Sequence, residues 1–342
     1  MSEFKITSIT NRDGSHGPQV CGIVTFTGSG LTLPNGTLAG PRGRGVFGSG
    51  ATPTATTVMD VIEIATKGDA VDFGDDMHAR QEGYASFASA TRGCFGGGQT
   101  PTVLTNIAYV TTSSQGGAND FGDLGTAVVR NIGLSDSTRG ISGGGIIAPL
   151  SSSQVSKIEF VTISTTGDAN NFGNLTQARA GLAACASPTR GLFAGGYDGT
   201  APNYNIIDFI TIATLGEAQD FGDLTDDPNH LAGCSNSTRG LFGGGQNPSN
   251  VNTIVYVTIA TEGNAQDFGD LAHGGNNGKI DYLGACASET RGLFGGGQTP
   301  TKINTIQFVT IATTGNTTDF GDLTVARRFT MGLSDAHGGL AT

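Results

Sequence analysis

Ala285 to Leu323 reads A-C-A-S-E-T-R-G-L-F-G-G-G-Q-T-P-T-K-I-N-T-I-Q-F-V-T-I-A-T-T-G-N-T-T-D-F-G-D-L. It holds two landmarks, R-G-x-F-G-G-G and then an apolar run ending in T-x-G-x-x-x-D-F-G-D-L. Both landmarks recur along most of the chain. The first is anchored by Arg44, Arg92, Arg139, Arg190, Arg239 and Arg291, at spacings of 48, 47, 51, 49 and 52. The second is anchored by Phe73, Phe121, Phe172, Phe221, Phe268 and Phe320, at spacings of 48, 51, 49, 47 and 52. Two independent markers therefore count six units of about fifty residues.

Each unit reads as four short strands. The first ends just before the T-R-G turn, as in 182–187 or 283–288. R-G-L-F is the second, stopped by the glycine triplet. Residues 304–313, N-T-I-Q-F-V-T-I-A-T, form the third, rich in β-branched and aromatic residues. D-F-G-D-L at 319–323 is the fourth, and turn signals separate them all. The third strand carries Tyr109, Phe160, Phe209, Tyr256 and Phe308 at one shared position, with Val61 in the first unit, which suits packing between neighbouring sheets. No helical period of 3.6 is present. A period near fifty with glycine-rich strands is that of β-propeller blades. The first unit starts at its second strand, 45–50, and the last ends after a first-type strand, 329–335. Pairing the two would complete one sheet from both ends and leave no exposed edge. The expected fold is all-β: a six-bladed propeller over 43–342, preceded by a short arm, 1–42.

The chain has 342 residues, 37% of them hydrophobic, and 56 glycines phased with the repeat, which indicates tight turns rather than disorder. Charged residues are 14% and Trp is absent. A net charge of −11 argues against nucleic acid and against an anionic membrane surface. No stretch approaches the ~20 apolar residues of a membrane span. The start, M-S-E-F-K-I-T-S-I-T, has no apolar signal-peptide core, so synthesis in a cytoplasm is expected. Of the five cysteines, Cys185, Cys234 and Cys286 lie five residues before an anchor arginine, where other units hold Phe87, Leu134 and Leu333. A position that accepts Cys, Phe and Leu is an apolar core site, so free thiols are expected, with no disulfide and no metal site.

In a meander the turns joining strands one to two and three to four share one face. That face is monotonous, with the six arginines and the D-F-G-D corners. Its carboxylates, Asp72, Asp120, Asp220, Asp267 and Asp319 with Asp75, Asp123, Asp223, Asp270 and Asp322, read as turn caps and arginine partners rather than as calcium ligands. The other face is variable, with loops at 99–105, 146–156, 197–204 and 246–251 and connections at 225–231 and 272–283. Tyr197, Asp198, Tyr204, Asp226, Asp227, Asn276 and Tyr282 on that face would suit sugar recognition, or are solvated loop residues. His78 and His273 fall at equivalent places in different units and form no pair. No catalytic motif, cofactor site or metal site is read from the sequence.

The unit R-G-L-F-G-G-G…N-T-I-Q-F-V-T-I-A-T…D-F-G-D-L resembles a kelch repeat: the glycine run matches the kelch double glycine, and Phe stands where kelch repeats carry Trp. The T-R-G and D-F-G-D-L version also resembles repeats in structural proteins of tailed bacteriophages. The leader G-P-Q-V-C-G-I-V-T-F-T-G-S-G-L-T-L-P-N-G-T is similar to N-terminal segments of such proteins. That resemblance implies a non-enzymatic virion component, a tail fibre, tail or neck accessory, or capsid-surface protein. It would be present in multiple copies, attached to other virion proteins through residues 1–42, with the propeller displayed to proteins or to a host surface glycan. The arm could instead be a strand pair that pads the ring. An intracellular kelch-like adaptor for a peptide, and less so a carbohydrate-active propeller enzyme, are the alternatives.

Overall fold

The computed structural model describes residues 31–32, 38–39, 43–148, 153–200, 203–273 and 276–340. Leu31–Thr32 and Leu38–Ala39 pair as a two-stranded hairpin. The remainder of the arm expectation lies outside the described residues.

Residues 43–340 build six antiparallel four-stranded sheets. In blade 6 the strands are Gly284–Ala287, Arg291–Gly295, Thr305–Thr310 and Thr318–Asp322. The third strand is shorter than its apolar run because Thr310–Thr313 turns. The innermost strands of blades 2 to 6 are Ala85–Ala88, Ile132–Ser135, Ala183–Ala186, Ala232–Ser235 and Gly284–Ala287. Blade 1 is closed from both ends of the chain: Met331–Ser334 is its innermost strand and pairs with Arg44–Gly48, in register Gly45↔Ser334 to Gly48↔Met331.

The repeat motif is a code for blade-to-blade contact. The anchor arginine of every blade donates Nη1 to a carbonyl at the end of the third strand in the following blade: Arg44 to Thr112, Arg92 to Ile163, Arg139 to Ile212, Arg190 to Ile259, Arg239 to Ile311 and Arg291 to Ile64. These guanidinium groups therefore serve backbone carbonyls rather than the corner carboxylates. In blades 2 to 6 each also lies over the third-strand aromatic of its own blade, 4.6–5.0 Å from the ring centroid. That aromatic in turn meets the D-F-G-D phenylalanine edge-on in the same sheet, as in Tyr109–Phe121 and Phe308–Phe320. Arginine, aromatic and phenylalanine thus form one stack in each of blades 2 to 6.

The glycine after each anchor arginine makes room for the neighbouring blade. A Cβ on Gly240 would sit 2.5 Å from Cys185 Sγ, and one on Gly292 would sit 2.8 Å from Cys234 Sγ. Gly45 faces Cys286 and Gly191 faces Leu134 in the same way. The variable Cys/Leu/Phe position is the knob and the R-G glycine is the hole. Cys94, Cys185, Cys234 and Cys286 are buried free thiols, and burial pushes Cys94 and Cys234 up to about 12.

T-x-G-x-x-x-D-F-G-D supplies the outer seam. The T-x-G glycine N–H donates to the phenylalanine carbonyl of the preceding blade, as Gly167 to Phe121 (2.7 Å) and Gly68 to Phe320 (3.0 Å). Two residues on, Ala169 N–H donates to Asp123 O and Ala70 N–H to Asp322 O, both at 2.8 Å. Between them, Asp168 Oδ1 accepts from Asp123 N–H and Asp69 Oδ1 from Asp322 N–H. The fourth-strand glycines Gly74, Gly122, Gly222, Gly269 and Gly321 take φ of 134–153° here, with no space for a Cβ against the neighbour's T-x-G glycine.

The innermost strands enclose an axial cavity of about 80 Å³. Its wall alternates: Ala88, Ser135, Ala186, Ser235, Ala287 and Ser334 occupy one position around the ring. Each serine reaches back to the alanine before it, Ser135 Oγ to Ala88 O at 2.8 Å and Ser235 Oγ to Ala186 O at 2.7 Å. The arginine-face end is filled by His337 and the short turn Gly338–Leu340. His337 Nε2 lies 3.0 Å from Ala88 O, which can only accept, so Nε2 carries the proton and Nδ1 accepts from Gly339 N–H at 3.1 Å. Burial lowers the pKa of this imidazole to about 4 from an ordinary 6.5. A lowered histidine contributes stability that is full above 6.5 and is lost as pH falls through about 4, at most about 3 kcal/mol. Denaturant midpoints at pH 7 and pH 4 should therefore fall further apart in the native chain than in His337→Gln; equal losses would show that the plug does not hold His337 neutral.

Candidate functional site

The opposite end of the axis is built from the connections that enter each innermost strand. Each connection turns through left-handed backbone just before its strand: Glu82 (φ 68°, followed by Gly83 at 70°), Arg130 (55°), Gly181 (67°), His230 (56°), Tyr282 (55°) and Phe329 (56°). These six are equivalent and are hydrogen-bonded into a collar. Arg130 N–H donates to Glu82 O (2.9 Å), Gly181 to Arg130 (3.1 Å), His230 to Gly181 (2.8 Å), Tyr282 to His230 (3.1 Å) and Phe329 to Tyr282 (2.9 Å). The geometry favours glycine, yet five of the six positions carry a large side chain, at a cost of roughly 1 kcal/mol each.

Those side chains close the mouth. Arg130 pairs with Glu82, Nη2 to Oε2 at 2.6 Å, and its Nη1 donates to the Tyr197 hydroxyl. Tyr197 comes from the blade 4 loop and fills the space left by Gly181. The collar then continues through rings: Tyr197 to His230 at 5.4 Å, His230 to Tyr282 at 4.3 Å and Tyr282 to Phe329 at 4.3 Å between centroids. Burial, and secondarily the Arg130 charge, lowers the His230 pKa well below its ordinary value. Its Nδ1 meets Asn229 Oδ1 at 2.6 Å, while its shielded Nε2 has no hydrogen-bond partner among the described residues.

A second variable position lies one residue earlier in each connection: Gln81, Val129, Ala180, Asn229, Asp281 and Arg328. Each bridges to the strand two–three segment outside it, Gln99, Ile146, Tyr197, Gln246, Gln298 and Ala51 respectively. The face is thereby divided. Val129, Ile146 and Ala180, with Val103 and Tyr197 against them, form an apolar cluster on one side. Asn229, Gln246, Asp281, Gln298 and Arg328 make the other side polar. There the strand two–three segments are small hairpins rather than loops, Gln246–Asn247 with Ser249–Asn250 and Gln298–Thr299 with Thr301–Lys302. Burial pushes the Asp281 carboxyl up to about 6.

Of the residues the sequence singles out, Tyr197 and Tyr282 belong to the collar. Asp198 and Tyr204 meet each other in the blade 4 loop, hydroxyl to Oδ2 at 2.8 Å, away from the mouth pocket. Asp226 is exposed, and Asp227 accepts from Asn247 Nδ2. Asn276 belongs to a short turn, Asn276–Gly278, and its side chain lies outside the described residues. Sequence reasoning misses Glu82, Arg130, His230 and Phe329, which share a place in the unit but no residue type. Among the described residues no group of three or more His, Cys, Asp or Glu side chains converges, and no helix is long and apolar enough to cross a membrane. A rigid ring carrying a variable rim is how propellers in general engage protein partners, and the six four-stranded blades agree with the kelch-like resemblance. No protein-family model matches the chain, and no curated protein is detectably similar to it.

Proposed function

We propose that this chain is a non-enzymatic structural protein of a tailed-bacteriophage virion: a tail fibre, a tail or neck accessory, or a capsid-surface protein. It is made in the host cytoplasm, attached in multiple copies to other virion proteins through residues 1–42, and displays the propeller for protein or host-glycan binding. The likeness of its T-R-G and D-F-G-D-L units, and of its leader, to such proteins supports the placement. The observation that carries the binding role is the split between framework and rim. Anchor arginines, glycine holes and outer seams repeat around the ring, whereas the collar carries Glu, Arg, Gly, His, Tyr and Phe at one backbone position.

Immunogold labelling of purified phage particles tests the placement. Label should decorate particles, and a chain lacking residues 1–40 should fold with an unchanged denaturant midpoint yet be missing from them. Undecorated particles would refute the virion assignment, and a truncated chain that cannot fold would make the arm part of the propeller.

A further inference from the structure

The polar half of the rim contains a cleft of about 820 Å³ between the blade 5 and blade 6 hairpins. This lies within the ~300–1,000 Å³ range of small-molecule sites. Its walls are fixed before any ligand arrives. Gln246 exchanges two backbone hydrogen bonds with Asn229 (3.1 and 2.9 Å), and Gln298 exchanges two with Asp281 (3.2 and 2.9 Å). Asn250 Nδ2 crosses from one hairpin to the other, donating to Asp281 Oδ1 and to Gln298 O, both at 3.0 Å.

The floor presents one anion and one cation, each held in place and each with bonding capacity left over. Asp281 is 5% exposed and its Oδ1 accepts from Asn250 Nδ2, while a carboxylate has about four lone-pair sites to offer. Arg328 is pinned by Nη1 to Gln298 Oε1 at 2.9 Å and lies over the Phe329 and Tyr282 rings, at 4.9 and 5.7 Å. Its Nε is shielded from solvent and has no hydrogen-bond partner among the described residues. A shielded, unpaired guanidinium donor calls for an acceptor. Tyr282 connects this floor to the collar.

We propose that this cleft binds an uncharged oligosaccharide, with vicinal hydroxyls donating to Asp281 and accepting from Arg328. The proposal rests on the reading of the propeller as a displayed binding module and names the ligand class for its polar half. A sugar hydroxyl both donates and accepts, so a diol satisfies a fixed carboxylate and a fixed guanidinium together. Asp281 and Arg328 offset each other and Lys279 at the rim is exposed, so the floor has no cluster of cations to hold a phosphate or an acidic polymer, and sialylated and sulfated probes test that alternative. An extended peptide adding to a hairpin edge would need free backbone groups, and those of Gln246 and Gln298 are already engaged by Asn229, Asp281 and Asn250.

The full chain is tested against immobilised uncharged, sialylated and sulfated oligosaccharides and against a peptide library. Binding to at least one uncharged oligosaccharide is expected, weakened tenfold or more by Asp281→Asn and by Arg328→Gln. Gln99→Ala, on the corresponding blade 2 hairpin, should leave it unchanged. Should either floor substitution lower the unfolding midpoint, Ser249→Trp on the exposed rim decides, because it obstructs the cleft without touching the floor. The proposal is overturned by no uncharged ligand, by preference for the acidic or peptide probes, or by binding indifferent to the cleft variants. Particle labelling does not depend on this assay, so the virion reading and the glycan site fail separately.

Discussion

A chain ending at Thr330 should show no cooperative unfolding transition, and a synthetic peptide spanning 331–342 should restore one. The deleted residues supply the whole inner strand of blade 1. They also supply Leu333, which fills the space over Gly93, and Asp335 Oδ1, which accepts from Arg44 N–H at 2.9 Å. Ser334 Oγ donates to Ala287 O at 2.5 Å and Ser86 Oγ to Gly332 O at 2.9 Å, so both flanking blades lose contacts as well. Without the strand, Val46 and Phe47 lie beside a bare edge on the axis. Domains of this kind have only ~5–15 kcal/mol of net stability, and losing a blade's inner strand together with the axial plug exceeds what the remainder can absorb. A sharp transition in the shortened chain, near the native midpoint in urea, would show that the seal is dispensable.

The second large effect is expected at the same seal. Asp60→Asn should destabilise the protein by about 3–5 kcal/mol, because it leaves the Arg327 guanidinium buried without a counter-charge. Both side chains are fully buried, and Nη2 lies 2.9 Å from Oδ2. Asp60 also accepts from Thr324, backbone N–H at 3.1 Å and Oγ1 at 2.5 Å, so it ties the end of blade 6 to blade 1. Arg179 and Asp208 repeat this between blades 3 and 4, with Thr176 in the place of Thr324. The double change Asp60→Leu with Arg327→Met removes both charges and should recover most of the loss. A midpoint for Asp60→Asn within 1 kcal/mol of native would mean that the pair contributes no net stability.

The sequence announces the framework because the framework repeats. Arg291, Gly292 and Phe320 each meet an equivalent neighbour, so the same residue type is needed in every blade and a fifty-residue period results. The closing of blade 1 is legible for the same reason: one unit lacks its first strand, and Met331–Ser334 is left over at the other end. Residue type alone does not disclose direction. An arginine beside many aspartates suggests an ion pair, whereas the ring geometry puts Arg92 on the Ile163 carbonyl. The third-strand aromatics likewise meet a phenylalanine of their own sheet beneath that arginine. The collar is hidden because its members share backbone conformation and not chemistry. Arg130, Gly181, His230 and Tyr282 lie nine residues before an anchor arginine and share no residue type, so only their spacing marks them. Arg80, Arg179 and Arg327 are missed because arginine is ordinarily a surface residue.

The outer seam has a consequence for crowding. Along the rim of a sheet it is the unsatisfied amide and carbonyl groups that recruit a foreign strand. Here Phe121 O, Asp123 N–H and Asp123 O are all engaged by the next blade, and the same holds where blade 6 meets blade 1. At these seams a strand from another copy would find the amides and carbonyls it needs already taken, so edge-to-edge fusion has nowhere to start there.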